Sequence, residues 1–298
     1  MKTYKKWIVG LDLSDFDVHL ISYVHFLAQF LIPDEIYFIH IKKRIEIPNH
    51  YLALREKTKE ELLGILEDRV FMAFKDRSSI KCEVHEGTPE FDIWRESYLH
   101  HCDLIILGEK AVLEARKIVP EKLLRKSFCS VLFVPENTRP INHVWVPVDA
   151  TENAKESVRI ALELTSNDKN AKITLHNIID YPSTDVIKPE LKTEYRSYFK
   201  KQTEEKIREV LSFIPKEVKY EIKFTERLYA NVADHIKEEA ESANADFIIM
   251  SSGGKSRFSA LFLGSVTLDL VKLEKDVPLL IVKSKIDKVQ AWDILTNL

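Results

Sequence analysis

Short runs dominated by apolar residues recur along the chain: WIVGL at 7–11, IYFIHI at 36–41, LIILG at 104–108, VLFV at 131–134, VWVPV at 144–148, ITLHNII at 173–179, FIIM at 247–250 and LLIV at 279–282. LIILG, FIIM and LLIV lack polar alternation, as expected of strands covered on both faces. Two further segments, SIKCEVHEG at 79–87 and EVKYEIKFTE at 217–226, alternate partially and read as strands with one wetter face. Between the strands lie segments with helical periodicity, including long charged helices expected at 51–75 and 190–213 and shorter ones near 89–101 and 230–243. Strands that alternate with helices imply parallel pairing, because parallel neighbours need crossover connections.

The pattern occurs twice. KKWIVGLDLSDFDVHLISYVHFLAQF and NHVWVPVDATENAKESVRIALEL each read as strand, terminal Asp (Asp12, Asp149), Ser/Thr-containing turn and amphipathic helix. The second strands each carry a histidine, His40 and His176; CDLIILG then matches ADFIIMS, and CSVLFVPE matches VPLLIVKS. Asp12 and Asp149 stand 137 positions apart and Asp103 and Asp246 143 apart, the slow drift of a diverged duplication. Two unrelated α/β domains would not share five strands in one order. The expected fold is α/β: two tandem doubly wound, five-stranded, mainly parallel sheets with helices on both faces. The domains are expected at 1–136 and 141–286, with VPENTRPIN as the linker and 287–298 as a tail. The final strands SVLFV and PLLIV, as edges that need covering, are expected to bring the halves together as a pseudo-dimer.

Composition narrows the function classes. A chain of 298 residues fits about two domains of roughly 150 each. With 44 basic and 47 acidic residues the net charge is −3, which gives no bulk attraction to nucleic acid or to an anionic membrane. No apolar run approaches the roughly 18 residues of a membrane span, and the apolar run after the basic start is broken at Asp12. Three unclustered cysteines (Cys82, Cys102, Cys129) fit neither a disulfide framework nor a cysteine zinc site. The chain reads as cytoplasmic.

The candidate chemistry concentrates in SSGGKSRFSALFLGSVT at 251–267, which holds three of the chain's seven glycines. It follows a buried strand and precedes a helical pattern, the place where doubly wound sheets gather ligands. Gly253 and Gly254 let backbone amides approach an anion, and Gly264-Ser265-Val266-Thr267 opens a helix whose free N–H groups attract phosphate. GKS at 254–256 resembles the end of a P-loop, but Ile249 stands where that motif needs its first glycine.

IIMSSGGKSRFSALFLGSVTLDLVK closely resembles the nucleotide-binding signature of the universal stress protein family, G-x2-G-x9-G-(S/T), here Ser251-x2-Gly254-x9-Gly264-Ser265. The resemblance covers the whole chain as a tandem pair. It implies that ATP, or ADP or AMP, with Mg²⁺ as an accompanying ion, binds the C-terminal half. Pro147, Asp149, Ala150 and Thr151 would lie beside the adenosine, and the backbone of Asn177 at the adenine edge. Met250 and Ser251 would flank the ribose, and Gly254, Lys255, Gly264, Ser265, Val266 and Thr267 would serve the phosphates. Ser251 departs from the signature's first glycine, which matters only if that position needs positive φ or very close contact. The N-terminal half departs further, with Ala111 at the second glycine and Glu121-Lys122 in place of Gly-Ser. A carboxylate there repels phosphate, so this half is expected to have lost the site, leaving Asp12 as a strand-end cap. The family also implies pairing between chains.

Other candidates are weaker. His100-His101-Cys102, with His85, reads as a solvated helix end because adjacent helical residues point apart; no metal site is expected. His40 and His176 read as core or rim histidines, and Tyr195, Tyr198 and Phe199 as core-facing anchors. No Ser-His-Asp ordering tied to a nucleophile elbow, no HExxH and no carboxylate pair with an evident cleft occurs, so no catalytic residue is assigned. A stress-response sensor or scaffold that binds nucleotide is the expected function; an interaction scaffold without nucleotide and a slow ATPase are the alternatives.

Overall fold

The computed structural model describes residues 3–43, 57–109, 120–168, 170–181, 188–227, 231–253, 263–273 and 276–283. The chain divides into two compact units, the division falling between Thr138 and Arg139. In the N-terminal unit, β1 (Lys6–Leu11), α1 (Phe16–Leu31), β2 (Glu35–Lys43), α2 (Lys59–Ala73), β3 (Ile80–Gly87), α3 (Pro89–Leu99), β4 (Leu104–Gly108), α4 (Pro120–Lys126) and β5 (Ser130–Val134) follow one another. Their strands lie in the order β3-β2-β1-β4-β5, every pairing parallel.

The C-terminal unit repeats this order with β6 (His143–Pro147), α5 (Asn153–Thr165), β7 (Lys172–Ile179), α6 (Lys192–Val210), β8 (Glu221–Glu226), α7 (Val232–Ser242), β9 (Phe247–Ser251), α8 (Ser265–Lys272) and β10 (Leu279–Val282). The strand order is β10-β9-β6-β7-β8, again wholly parallel. The tandem doubly wound expectation holds. The central strands are apolar because both faces are covered: Trp7, Ile8 and Val9 in β1 and Val144, Trp145 and Val146 in β6 are buried. Helices contribute one apolar stripe each, as with Ala154, Val158, Ala161 and Leu164 of α5. Among the described residues no helix is long and apolar enough to cross a membrane.

Three devices recur in both units. Asp103 accepts the amides of Lys5 and Lys6 at 3.0 and 3.2 Å, and Asp246 accepts those of Asn142 and His143 at 3.1 Å each, tying the start of the first strand to the fourth. At the end of α3 the Cys102 amide donates to Ser97 O, with His101 left-handed at φ 54°. At the end of α7 the Ala245 amide donates to Ala240 O, with Asn244 at φ 53°. The third device corrects the pairing of the histidines. His40 stands opposite Leu11 and its Nδ1 bonds the Leu11 carbonyl at 3.0 Å. The C-terminal group on the matching carbonyl is Asn177, whose Nδ2 donates to Val148 O at 2.8 Å. His40 therefore corresponds to Asn177, and His176 has no histidine counterpart.

The α6 anchors also differ from expectation. Ile207 is that helix's buried residue, while Tyr198 is 63 % exposed. Tyr195 and Phe199 are half-buried, with Phe199 stacking obliquely on Tyr181. A long helix on a β-sheet flank needs only a narrow apolar stripe, and its aromatic residues fall on the stripe's border.

Candidate functional site

From β6 the chain runs outward through β7 to β8, then returns to place β9 on the other side of β6. That reversal puts a crevice at the carboxyl ends of β6 and β9, the place where open α/β sheets take ligands. Pro147 ends β6 and is buried. Asp149 follows, half-buried, accepting the Thr151 amide at 3.2 Å and the Thr151 hydroxyl at 2.5 Å, a tight turn that leads into α5. Ala150 at its tip is exposed. The first residue of α5, Asn153, donates from Nδ2 to Gly253 O at 3.1 Å, so the turn after β6 is fastened to the backbone leaving β9. The sequence motifs did not single out Asn153.

Met250 and Ser251 end β9, both half-buried. Ser251 is absent from the residues with left-handed φ, so its Cβ carries no backbone strain, and its hydroxyl reaches Gly253 O at 3.4 Å. Thr267 is buried and gives its hydroxyl to Ser251 O at 3.2 Å, and the Gly264 amide donates to Ser252 O at 2.9 Å. These two bonds anchor the start of α8 to the end of β9. The Gly264 amide is thereby occupied, and Thr267 retains only its backbone N–H. The amides of Ser265, Val266 and Thr267, in the first turn of α8, have no acceptor among the described residues. Ser265 is exposed and Val266 half-buried. Gly264 itself adopts φ −61°, ψ 145°, open to any residue, so glycine there supplies space and not a special conformation. Gly254 and Lys255 lie outside the described residues.

Beside this crevice two polar groups on β7 have different environments. Asn177 is 7 % exposed; its Oδ1 is buried without a hydrogen-bond partner. His176, on the opposite face of the strand, packs edge-on against Trp145 and bonds Thr225 Oγ1 at 2.8 Å through Nε2. Burial drives the His176 pKa down to about 4, with the neighbouring His235 and Lys223 adding to the fall against the pull of Glu239. It is a neutral packing residue at ordinary pH.

The N-terminal unit has the same crevice between β1 and β4 and furnishes it differently. Asp12 accepts the Ser14 amide at 3.0 Å, as a turn cap. Phe16 holds the helix position that Asn153 holds in the other unit, and its ring lies against the end of β4 so closely that a Cβ on Gly108 would run into it. Asp17, buried behind the turn, accepts the Asp12 and Leu13 amides at 3.3 and 2.7 Å. Desolvation, and next the charge of Asp12, lifts its pKa to about 7 despite those amides and Arg69. Glu121, in the first turn of α4, pairs with Arg125 at 3.0 Å. Ala111 lies outside the described residues. An aromatic ring and crowded carboxylates make this crevice poor for an anion.

Fold and crevice together define a tandem, doubly wound α/β protein. Residues 140–283 match the model of the Universal stress protein family. A functionally unknown protein from Pseudomonas aeruginosa PAO1 aligns over 100 % of this chain and 99 % of its own, at TM-score 0.63 and 16 % identity. A universal stress protein from Archaeoglobus fulgidus aligns over 95 % of this chain and 97 % of its own, at TM-score 0.62 and 16 % identity. Both likenesses show the shared fold. No curated protein sequence matches. The likeness to the universal stress protein family therefore lies in residues 140–283, which fall within the C-terminal unit.

Proposed function

We propose that the C-terminal unit binds an adenine nucleotide, ATP foremost, in the crevice between β6 and β9, and that the protein serves a cytoplasmic stress response as a nucleotide-dependent sensor or scaffold. The observation that carries this reading is the start of α8, where three consecutive amides lack acceptors among the described residues at the positive end of a helix. The anchoring bonds from Gly264 and Thr267 hold those amides in place before any ligand arrives, which lowers the ordering cost of binding. Pro147, Asp149, Ala150, Thr151 and Asn177 are assigned to the adenosine, with the partnerless Asn177 Oδ1 as an acceptor for a base or sugar donor. Met250 and Ser251 are assigned to the ribose, and Gly254, Lys255, Ser265, Val266 and Thr267 to the phosphates, with Gly264, its own amide held by Ser252 O, leaving them room. Asp149 is the carboxylate assigned to an accompanying Mg²⁺, through water. A bound nucleotide supplies the negative charge that the helix start neutralises. The ordinary backbone at Ser251 removes one of the two grounds for a scaffold without nucleotide, the need for positive φ; close contact with the ribose is the other.

The test is the nucleotide content of purified protein, read by ultraviolet absorbance and mass spectrometry after denaturation, followed by ATP titration. About one nucleotide per chain is expected, and Gly264→Glu, which suits the observed backbone but sets a carboxylate at the helix start, abolishes binding with the fold intact. Undiminished affinity in that variant, with circular dichroism unchanged, overturns the phosphate assignment.

A further inference from the structure

Away from that crevice, β3 and α3 of the N-terminal unit bring together two glutamates and two histidines. Glu83 and His85 are two apart on β3 and share a face of the strand, while Glu96 and His100 are four apart and share a face at the end of α3. His85 Nε2 lies 2.8 Å from Glu83 Oε2, and His85 Nδ1 lies 3.6 Å from Glu96 Oε1. His100 Nε2 lies 3.4 Å from Glu83 Oε2 and 3.8 Å from Glu96 Oε2. One ligand atom from each of Glu83, His85 and Glu96 lies within 4.8 Å of the others. The sequence expectation of a solvated helix end holds for His101, which is exposed, and fails for His100.

We propose that Glu83, His85, Glu96 and His100 form a binding site for one divalent transition-metal ion, Zn²⁺ by preference. Four donors around a tetrahedral ion at about 2.0–2.1 Å stand about 3.3–3.4 Å from one another; the glutamate-to-histidine separations run from 2.8 to 3.8 Å, with His85 presenting Nε2 to Glu83 and Nδ1 to Glu96, so its ring turns to bring one nitrogen onto the ion. The His100 Nε2 atom is buried and has no hydrogen-bond partner although it faces two carboxylates. Its ring is held from behind, stacked on Tyr37 at 4.0 Å between centroids. Glu96 is 4 % exposed, and Arg95 engages only its Oε1, through Nε at 3.0 Å and Nη2 at 2.7 Å, which leaves Oε2 on the side of His100. Arg95 is matched in turn by Asp92 at 2.6 Å, so the two glutamates keep a net charge of about −2 for a dication. One ring nitrogen of His85 takes the metal, and the other keeps a glutamate as the partner that orients the ring. Two imidazoles with two carboxylates suit Zn²⁺ or Co²⁺ over Mg²⁺ or Ca²⁺, which favour oxygen alone.

The experiment uses the full chain, stripped with a chelator and dialysed. Co²⁺ is titrated as a spectroscopic probe, and Zn²⁺ is then added in competition. The expected result is a visible d–d spectrum of tetrahedral type that saturates at about one equivalent and is displaced by Zn²⁺. His100→Ala and His85→Ala, checked by circular dichroism for an intact fold, are each expected to weaken Zn²⁺ binding at least about 100-fold, at or beyond the top of the range for losing an outer-shell partner. Gly264→Glu leaves the metal spectrum unchanged, which separates this site from the nucleotide site. A wild-type chain that gives no tetrahedral Co²⁺ spectrum, or a folded His100→Ala chain that binds Zn²⁺ as tightly as wild type, overturns the proposal.

Discussion

Phe16 and Asn153 occupy matching positions, the first residue of the helix after the first strand of each unit, and they decide what each crevice can hold. Phe16 lays a ring against Gly108, and Asn153 donates to the Gly253 carbonyl. Asn153→Phe therefore imports the N-terminal arrangement. It is expected to lower ATP affinity at least about tenfold, a loss of roughly 1.4 kcal/mol, read by calorimetric titration. Neither role was legible in the sequence, because each depends on the juxtaposition of two loops about 100 residues apart. The strand-end aspartates were legible, since a carboxylate two residues before a Ser or Thr makes a local turn that needs no tertiary information. His176 gives a prediction of a different kind. Its folded pKa, about 4, lies below the ordinary 6.5, so the unfolded chain takes up the proton first. Its contribution to stability is whole above about pH 6.5 and is lost as pH falls toward 4, by up to about 3 kcal/mol for this buried ring. Proton NMR should find the His176 imidazole untitrated until near pH 4; titration near 6.5 in the folded chain would contradict the burial argument.

Elements were read well where burial is two-sided. β4, β9 and β10 stand out as unbroken apolar runs because helices cover both faces, and their order repeats. The surfaces of α3 and α6 were read poorly, for one reason: helical periodicity fixes which residues share a face but not what the face meets. Periodicity alone puts Tyr198 inward, and it lies outward; it puts His100 outward, and it lies among glutamates. The ends of α3 and α7 show how a shared backbone device hides behind different residues. Both helices close with a left-handed residue, His101 in one and Asn244 in the other. Asn tolerates that conformation through its short polar side chain, whereas the imidazole of His101 gains less from it. His101→Gly keeps the Cys102 amide on Ser97 O and removes the Cβ penalty. Chemical denaturation should show the N-terminal unit stabilised by about 0.5–1 kcal/mol. A loss of stability would mean that the imidazole contributes more than its backbone costs.

For the whole molecule, the duplication has left two folds of one plan with different furnishings, and ligands should tell them apart. A ligand that binds only the folded C-terminal unit stabilises that unit by RT ln(1 + [L]/Kd), about 2.7 kcal/mol at 100 times Kd. Two units with separate cores need not unfold in one step, so the increment belongs to one of them. Hydrogen exchange followed by mass spectrometry locates it. With saturating ATP, protection should rise in the peptides over 144–154, 173–179 and 263–273, which carry the ends of β6, β7 and the start of α8. Peptides over 7–17 and 104–109, at the matching crevice of the N-terminal unit, should exchange as before, because Phe16 and the carboxylates of Asp12 and Asp17 leave no place for a phosphate. Zn²⁺ should give the complementary map, with protection over 80–100 and none at α8. Equal protection of both crevices by ATP would show that the ring of Phe16 swings aside and that the N-terminal unit still binds nucleotide; protection in neither would leave the free amides of α8 to a different anion.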